Sequence, residues 1–386
     1  MPINQFQRPF VAALLHRLQQ PPPFMQVLVG PRQVGKTTGI RQLMAQCGFP
    51  SHYANADDVW SGDRSWLLQQ WQQARLLGEG SLLVIDEVQK IPNWSETVKA
   101  LWDADPHALR VVLLGSSALR LQSGVTESLA GRFELMRIHH WRFAELQSAF
   151  GYDLDRHLVF GGYPGAVPLE NDLDRWFGYM KDSIVESVIG KDILQERRVA
   201  NPALFRQAFA ILCAYPAQEV SYTKLLGQLQ DRGNTDLIKH YIALYQDAFL
   251  MYALSKHSPK AWLSRASSPK MLPACPALYT LAAGGVSVWN ADQRGRAFEL
   301  AVGAELLHLP GQLHYWRELD LEVDFAYQHR DEWYAIEVKS ARTRSSKGLD
   351  AFRLREPRAK SVVVTPENFG VFSQDPLAFL RRLAVR

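Results

Sequence analysis

The stretch Gly30-Pro31-Arg32-Gln33-Val34-Gly35-Lys36-Thr37-Thr38 carries the residue types that bind phosphate. It satisfies G-x-x-x-x-G-K-[ST] in full. The glycines let the backbone wind tightly so that its N–H groups converge on phosphate oxygens. Lys36 adds a point charge for the β- and γ-phosphates of ATP, or the β-phosphate of ADP, and the Thr37 hydroxyl is placed for Mg²⁺. A second group follows at Leu82-Leu83-Val84-Ile85-Asp86-Glu87, where a continuous apolar run ends in two carboxylates. Asp86 is expected to hold Mg²⁺ through its water shell and Glu87 to orient the attacking water.

A third apolar run, Val111-Val112-Leu113-Leu114-Gly115, leads into Ser116 and Ser117. A hydroxyl at the carboxyl edge of a parallel sheet can sense the γ-phosphate or the lytic water; the alternative is a serine that caps a helix. Gly131-Arg132-Phe133 offers an arginine for a phosphate in a neighbouring subunit, or else a surface charge.

Another constellation lies near the C-terminus. Leu321–Tyr327 reads as a strand, His329-Arg330-Asp331 as a turn and Trp333–Lys339 as a second strand. Residues two apart on a strand share a face, so Glu337 and Lys339 project together, with Asp324 on the neighbouring strand. Two carboxylates beside a lysine suit Mg²⁺-assisted phosphodiester cleavage. The alternative is a plain Glu337–Lys339 ion pair in a domain used for binding or assembly. Arg342, Arg344, Lys347, Arg353, Arg355, Arg358 and Lys360 follow as the densest basic run of the chain, which favours a phosphate-backbone partner such as DNA.

The elements that must hold these groups are legible from periodicity. Apolar runs at Val27–Val29, Leu82–Ile85 and Val111–Leu114, with weaker ones at His52–Asn55 and Leu135–Ile138, alternate with helical patterns at Lys36–Gln46, Trp66–Leu77 and Trp94–Trp102. That alternation predicts βαβ units and a parallel sheet buried on both faces. From about Asp153 to Leu254 the chain reads as mostly helical. Ser221–Leu229 and Thr235–Tyr245 form a helix, glycine turn, helix pattern, with Lys239 and His240 on the second helix. This fits a helix-turn-helix or two ordinary packed helices. Ser255 to Pro276, punctuated by lysines and prolines, reads as a linker or wrapping segment. A helix near Arg296–Leu307, an apolar Val362–Val364 and a closing helix near Leu377–Leu383 complete the last part.

A chain of 386 residues implies two or three domains. The excess of four positive charges permits a nucleic-acid partner without arguing for one. Cys47, Cys213 and Cys275 lie far apart, which excludes a disulfide framework and a C-x-x-C zinc site and points to a reducing compartment. No apolar run is long enough for a bilayer and the N-terminus has no apolar signal core, so the expected location is cytoplasmic.

Gly30–Thr38, Val84-Ile85-Asp86-Glu87-Val88-Gln89, Gly115-Ser116-Ser117-Ala118 and Ser128-Leu129-Ala130-Gly131-Arg132-Phe133, in that order, resemble the AAA+ ATPases. More narrowly, the sequence is similar to the prokaryotic group with an AAA_14 ATPase domain and a DUF4143 C-terminal region, along nearly its whole length. The resemblance implies an α/β chain: a P-loop ATPase core at 1–150 with the AAA+ sheet order, a helical lid at 151–200, a winged-helix-like region and linker at 201–275, and an α/β domain at 276–386. It also implies Ser116 or Ser117 as sensor 1, Arg132 as an intersubunit arginine, and hence a homo-oligomer, ring or head-to-tail. Gly162-Tyr163-Pro164 resembles the G-x-P element whose Gly162 and Pro164 reach the adenine in such proteins; an ordinary turn is the alternative. Lys270-Met271-Leu272-Pro273-Ala274-Cys275 departs from the K-x-Y-x-x-D-like stretch of the group by lacking the acid. The last domain resembles the PD-(D/E)xK nuclease fold, with Asp324 as its aspartate, Glu337-Val338-Lys339 as its E-x-K and Glu299 as the acid of its first helix.

Overall fold

A computed structural model describes residues 6–20, 24–58, 64–106, 108–115, 128–195, 199–229, 234–258, 267–285, 289–340 and 347–383. The chain forms two compact units, Met1–His139 and His140–Arg386.

The first unit is built on five parallel strands: β1 Met25–Val29, β2 Ser51–Asn55, β3 Ser81–Asp86, β4 Leu109–Gly115 and β5 Phe133–Arg137. They lie in the order β2-β3-β4-β1-β5. Every residue of β1 and β3 is buried. Unbroken apolar runs such as Leu82–Ile85 demand this, because both faces of a parallel sheet are covered by helices. The helices are α1 Pro9–Gln19, α2 Lys36–Gln46, α3 Arg64–Leu76 and α4 Trp94–Ala104. The expected βαβ alternation is therefore present. α1 is an addition to it: Pro9 opens the helix, and Val11, Leu14 and Leu18 are buried at helical spacing. Phe10 lies against α2 where Gly39 leaves room; a Cβ there would come within 2.3 Å of the Phe10 ring.

The placement of β4 between β1 and β3 positions the site. Val29 is in register with Gly115, and Ile85 with Leu113. All three strands therefore end at one edge, where Gly30, Asp86 and Gly115 are neighbours.

The second unit begins with helices Phe143–Phe150, Leu154–Phe160 and Leu173–Gly178, the last continuing into π-wound turns at Tyr179–Val185 and Val188–Leu194. Next come helix Pro202–Cys213, β6 Gln218–Glu219, helices Tyr222–Gln228 and Thr235–Asp247, β7 Met251–Leu254 and β8 Lys270–Pro273. The three short strands form an antiparallel sheet in the order β6-β8-β7. This corrects the reading of Ser255 to Pro276 as a linker or wrapping segment at its Lys270–Pro273 stretch. Its prolines and lysines suggest irregular chain, yet Lys270–Pro273 is a fully buried central strand, with Pro273 tolerated at the strand end.

The C-terminal part has a helix at Ala291–Leu306 and four strands, β9 Gln312–Glu318, β10 Leu321–His329, β11 Glu332–Val338 and β12 Lys360–Val364, in the order β12-β11-β10-β9. β9, β10 and β11 are antiparallel neighbours. β12 runs parallel to β11 because the helix Lys347–Arg355 intervenes as a crossover. Helices Pro366–Gln374 and Pro376–Leu383 close the chain. Val323, Ala326, Ala335, Trp316, Leu349 and Phe352 form a core under the crossover helix. Val323 and Ala326 share that core although they are three residues apart, because a β-bulge interrupts the β9–β10 register between them.

Candidate functional site

The loop between β1 and α2 is shaped by its backbone. Gln33 and Gly35 both lie in the left-handed region, at φ 58° and 86°. Such strain in a non-glycine residue is characteristic of a loop whose N–H groups must face one way. Gly30 is held close to the strand beside it: a Cβ there would stand 2.2 Å from the Ile138 carbonyl oxygen. Gly35 caps α2, whose amino end begins at Lys36 and so points its unsatisfied N–H groups at whatever the loop encloses.

Lys36 is buried, and its ammonium donates to the carbonyls of Gly30 (2.8 Å) and Pro31 (2.6 Å), curling over the loop it serves. Thr37 Oγ1 donates to Asp86 Oδ2 at 2.9 Å, joining the first turn of α2 to the end of β3. Tyr53, from β2, donates its hydroxyl to the same oxygen at 2.9 Å, while Asp86 Oδ1 accepts from the backbone N–H of Glu87 at 3.0 Å. Glu87 takes the left-handed conformation (φ 52°) and its carboxylate accepts from the Gln89 amide at 2.5 Å. A hydroxyl and a carboxylate meeting at a helix amino end are hard oxygen donors of the kind Mg²⁺ prefers. Thr37 and Asp86 are thus the residues that would hold it, and the ion would supply charge neutralisation between phosphate oxygens.

Three contributors were not legible in the sequence. Tyr53 and Gln89 fix the two acids. Arg8, before α1, is buried and donates to the carbonyls of Val34 (3.0 Å) and His139 (3.1 Å), bracing the loop from behind. The alternation in β2 hinted that Tyr53 faces one side of the sheet; nothing in the sequence marked Arg8.

Ser116 and Ser117 lie outside the described residues, while the strand that leads to them ends at Gly115 beside Val29. Arg132 stands at the opposite edge of the sheet. It precedes β5, which runs in register with β1 from Met25↔Phe133 to Val29↔Arg137. At strand spacing this puts Arg132 about 20 Å from the start of the phosphate loop of its own chain. Its guanidinium bonds both oxygens of Asp103, at 2.6 and 3.0 Å, in a bidentate pair.

In the second unit, Gly162 has φ 126° and its space is closed: a Cβ would meet Cys275 Sγ at 2.4 Å. Pro164 opens a short 3-10 turn after it. The C-terminal residues are brought together as the strand argument expected. Extending the Phe325↔Ile336 register by one step sets Asp324 opposite Glu337. Asp324 Oδ2 accepts from the Val338 N–H at 2.7 Å, and Lys339 Nζ pairs with Glu337 at 2.5 Å. Glu299, on helix Ala291–Leu306, faces the same cluster, but through a residue from elsewhere. Lys270 of β8, 1 % exposed, pairs directly with Glu299. Its ammonium also donates to the Asp324 carbonyl at 3.2 Å and lies 3.5 Å from Glu322 and 3.9 Å from the Asp324 carboxylate. Burial pushes the Glu299 carboxyl up to about 7 against the pull of Lys270, and burial likewise raises Glu337. Among the described residues no three acid, imidazole or thiol side chains converge to hold a metal. The centre therefore does not fit a divalent ion as it stands, because an ammonium group occupies the middle of its carboxylates.

Of the basic run, Arg342 and Arg344 lie outside the described residues. Lys347, Arg353, Arg355 and Arg358 are exposed, and Arg355 and Lys360 are paired with Glu318 and Glu332. Among the described residues no helix is long and apolar enough to cross a membrane.

Three family models match this chain. Residues 23–147 match the model of an AAA domain, AAA_14. Residues 151–284 and 294–380 match two domains of unknown function, DUF8612 and DUF4143. Uncharacterized proteins of Mycobacterium bovis and Mycobacterium tuberculosis are each 27% identical over 345 residues, covering 88% of this chain and 75% of theirs. An uncharacterized protein of Methanocaldococcus jannaschii is 23% identical over 197 residues, 46% of this chain and 44% of that protein. Among solved structures, a Walker-type ATPase of Pyrococcus abyssi superposes with a TM-score of 0.49 at 13% identity, covering 72% of this chain and 96% of that one. The Thermotoga maritima RuvB Holliday junction branch migration motor superposes with a TM-score of 0.34 at 16% identity, covering 66% and 90%. The matched AAA domain model, together with the sheet that carries Lys36, Thr37, Asp86 and Glu87, marks residues 23–147 as an AAA-like P-loop ATPase domain.

Proposed function

We propose that this protein binds ATP with Mg²⁺ at the Gly30–Thr38 loop, hydrolyses it with Glu87 orienting the water, and couples turnover to the handling of DNA by its second unit. The observation that carries the nucleotide part is the 2.9 Å bond from Thr37 to Asp86 beside the curled Lys36, which gathers a metal-holding hydroxyl, a carboxylate and a phosphate-binding cation at one helix end. In this reading Ser116 or Ser117 reports on the γ-phosphate, and Gly162 with Pro164 presents backbone to the adenine. Arg132 acts on the nucleotide of a neighbouring copy, since it lies too far from its own. The active form is then a homo-oligomer, ring or head-to-tail.

The DNA part is supported by the order helix, β6, helix, helix, β7, β8 with the sheet β6-β8-β7, an arrangement matching a winged helix, in which Thr235–Asp247 would be the reading helix. The exposed Lys347, Arg353 and Arg358 add sites for phosphate contact. The test is an ATPase assay with single-stranded, duplex and branched DNA at several salt concentrations. DNA stimulation that fades with salt is expected, and a rate unmoved by every DNA would contradict the coupling.

A second reading is a nucleotide-dependent switch whose nuclease-like C-terminal domain binds a protein partner and does not cut. Two observations favour it: Lys270 sits among the carboxylates, and Lys239, the lysine on helix Thr235–Asp247, is paired with Asp236. Salt-insensitive binding of a protein partner, with no DNA effect on turnover, would select it.

A further inference from the structure

The geometry points to Lys270 as the resident cation of the C-terminal carboxylate centre, so that Glu299, Glu322 and Asp324 form a metal-free lock on strand β8. A divalent ion could enter only if this side chain left. The inference goes beyond the function proposed above and does not depend on it, since neither ATP turnover nor DNA binding is needed for the lock to exist.

The centre is assembled from three elements far apart in sequence. Helix Ala291–Leu306 brings Glu299, β10 brings Glu322 and Asp324, and β8 brings Lys270. Alternation on β10 places Glu322 and Asp324 on one face, and the bulge beginning at Val323 turns Phe325 towards the same side, where its ring lies 5.1 Å from the ammonium. Lys270 therefore reaches all three carboxylates, with a matching set of donors. An ammonium has three N–H bonds and no acceptor. That of Lys270 is ion-paired with Glu299, donates to the Asp324 carbonyl at 3.2 Å, and faces the Glu322 and Asp324 carboxylates at 3.5 and 3.9 Å.

A lysine this deeply buried persists as a cation only when opposite charge surrounds it, and the surrounding acids hold its proton well above the ordinary lysine range. The same acids would otherwise repel one another. Each side of the arrangement thus requires the other, and the attraction ties the β6-β8-β7 sheet to the C-terminal sheet through β8. Lys339, the other cation of the cluster, is committed to Glu337 at 2.5 Å and leaves the three lock carboxylates to Lys270. A divalent ion added to this centre would face the full positive charge of Lys270 among the carboxylates it must bind. The lysine excludes it.

The test is Mn²⁺ binding to nucleotide-free, full-length protein, followed by the loss of the free-ion EPR signal. Wild-type protein and Asp324→Asn are expected to bind no Mn²⁺ at this centre. Lys270→Met, which keeps the length of the side chain and removes its charge, is expected to gain one site per chain, and Lys270→Met/Asp324→Asn to lose it again. The gained site should also raise the unfolding midpoint of Lys270→Met with Mn²⁺, with no such rise in wild type. One equivalent bound by wild type and lost in Asp324→Asn would overturn the inference, as would a folded Lys270→Met that binds none. Should Lys270→Met fail to fold, the wild-type and Asp324→Asn arms still decide.

Discussion

Arg132 and Asp103 form a bidentate pair at the edge of the sheet opposite the phosphate loop, with N–O distances of 2.6 and 3.0 Å. A guanidinium held by its own chain about 20 Å from its own nucleotide loop cannot neutralise charge there. In the proposed oligomer it would act on a second copy, once Asp103 releases or shares it.

Arg132→Ala is accordingly expected to bind ATP as wild type does and to turn it over about a hundredfold or more slowly, the scale on which arginine fingers act. Mixing it with Glu87→Gln protein should recover part of the activity, since one interface then has both groups intact. Steady-state rates of the separate and mixed proteins check this. Wild-type turnover by a protein that stays monomeric with ATP would exclude an intersubunit role.

Gly30→Ala should disturb the loop without altering any charged group. The new Cβ would need the space now filled by the Ile138 carbonyl, 2.2 Å away, and β1 or the chain after β5 must shift. A stability loss of about 1–3 kcal/mol is expected, with ATP affinity falling further than that of a distant surface variant of equal stability. Denaturant titration and equilibrium binding measure the two effects.

The contribution of Glu305 to the stability of the second unit should fall as pH rises from about 4.5 to about 7. Burial pushes the Glu305 carboxyl up to about 7, against the pull of Arg142 and the bonds from the Phe143 N–H and Ser373 hydroxyl. A carboxyl whose folded pKa exceeds its unfolded one stabilises most below the unfolded value and loses that contribution through the folded value. His157 works with the opposite sign: burial lowers it to about 3, so its contribution is lost as pH falls below about 6.5. The difference between wild type and Glu305→Gln isolates the first effect. Gln should become the more favourable of the two by on the order of 2 kcal/mol between pH 4.5 and 8. A difference constant with pH would contradict it.

How much was legible in the sequence depended on distance along the chain. The phosphate loop is a local object: nine consecutive residues set its turn, its cation and its hydroxyl, and the structure gathers Lys36, Thr37, Asp86 and Glu87 around it. Asp324, Glu337 and Lys339 also lie together on neighbouring strands, because period-two alternation and a tight turn fix which residues face each other. Lys270 opens the K-x-Y-x-x-D-like stretch, but its place among the carboxylates escaped because nothing local announces it. It lies 54 residues before Asp324, in a stretch whose prolines and lysines suggest a linker, and only tertiary packing makes β8 a buried strand. Arg8 escaped for the same reason, its partners being the Val34 and His139 carbonyls, 26 and 131 residues on.

The most direct test of the account is ATP hydrolysis by Glu87→Gln, with Mg²⁺-ATP binding measured on the same protein. Glu87 leaves β3 in a left-handed turn beside Asp86, where its carboxylate can take charge from an attacking water. The amide keeps the shape and loses the charge. Binding should stay within about twofold of wild type while turnover falls by about 10²–10⁴. Turnover equal to wild type, with binding intact, would contradict the assignment of Glu87 and with it the hydrolytic centre described here.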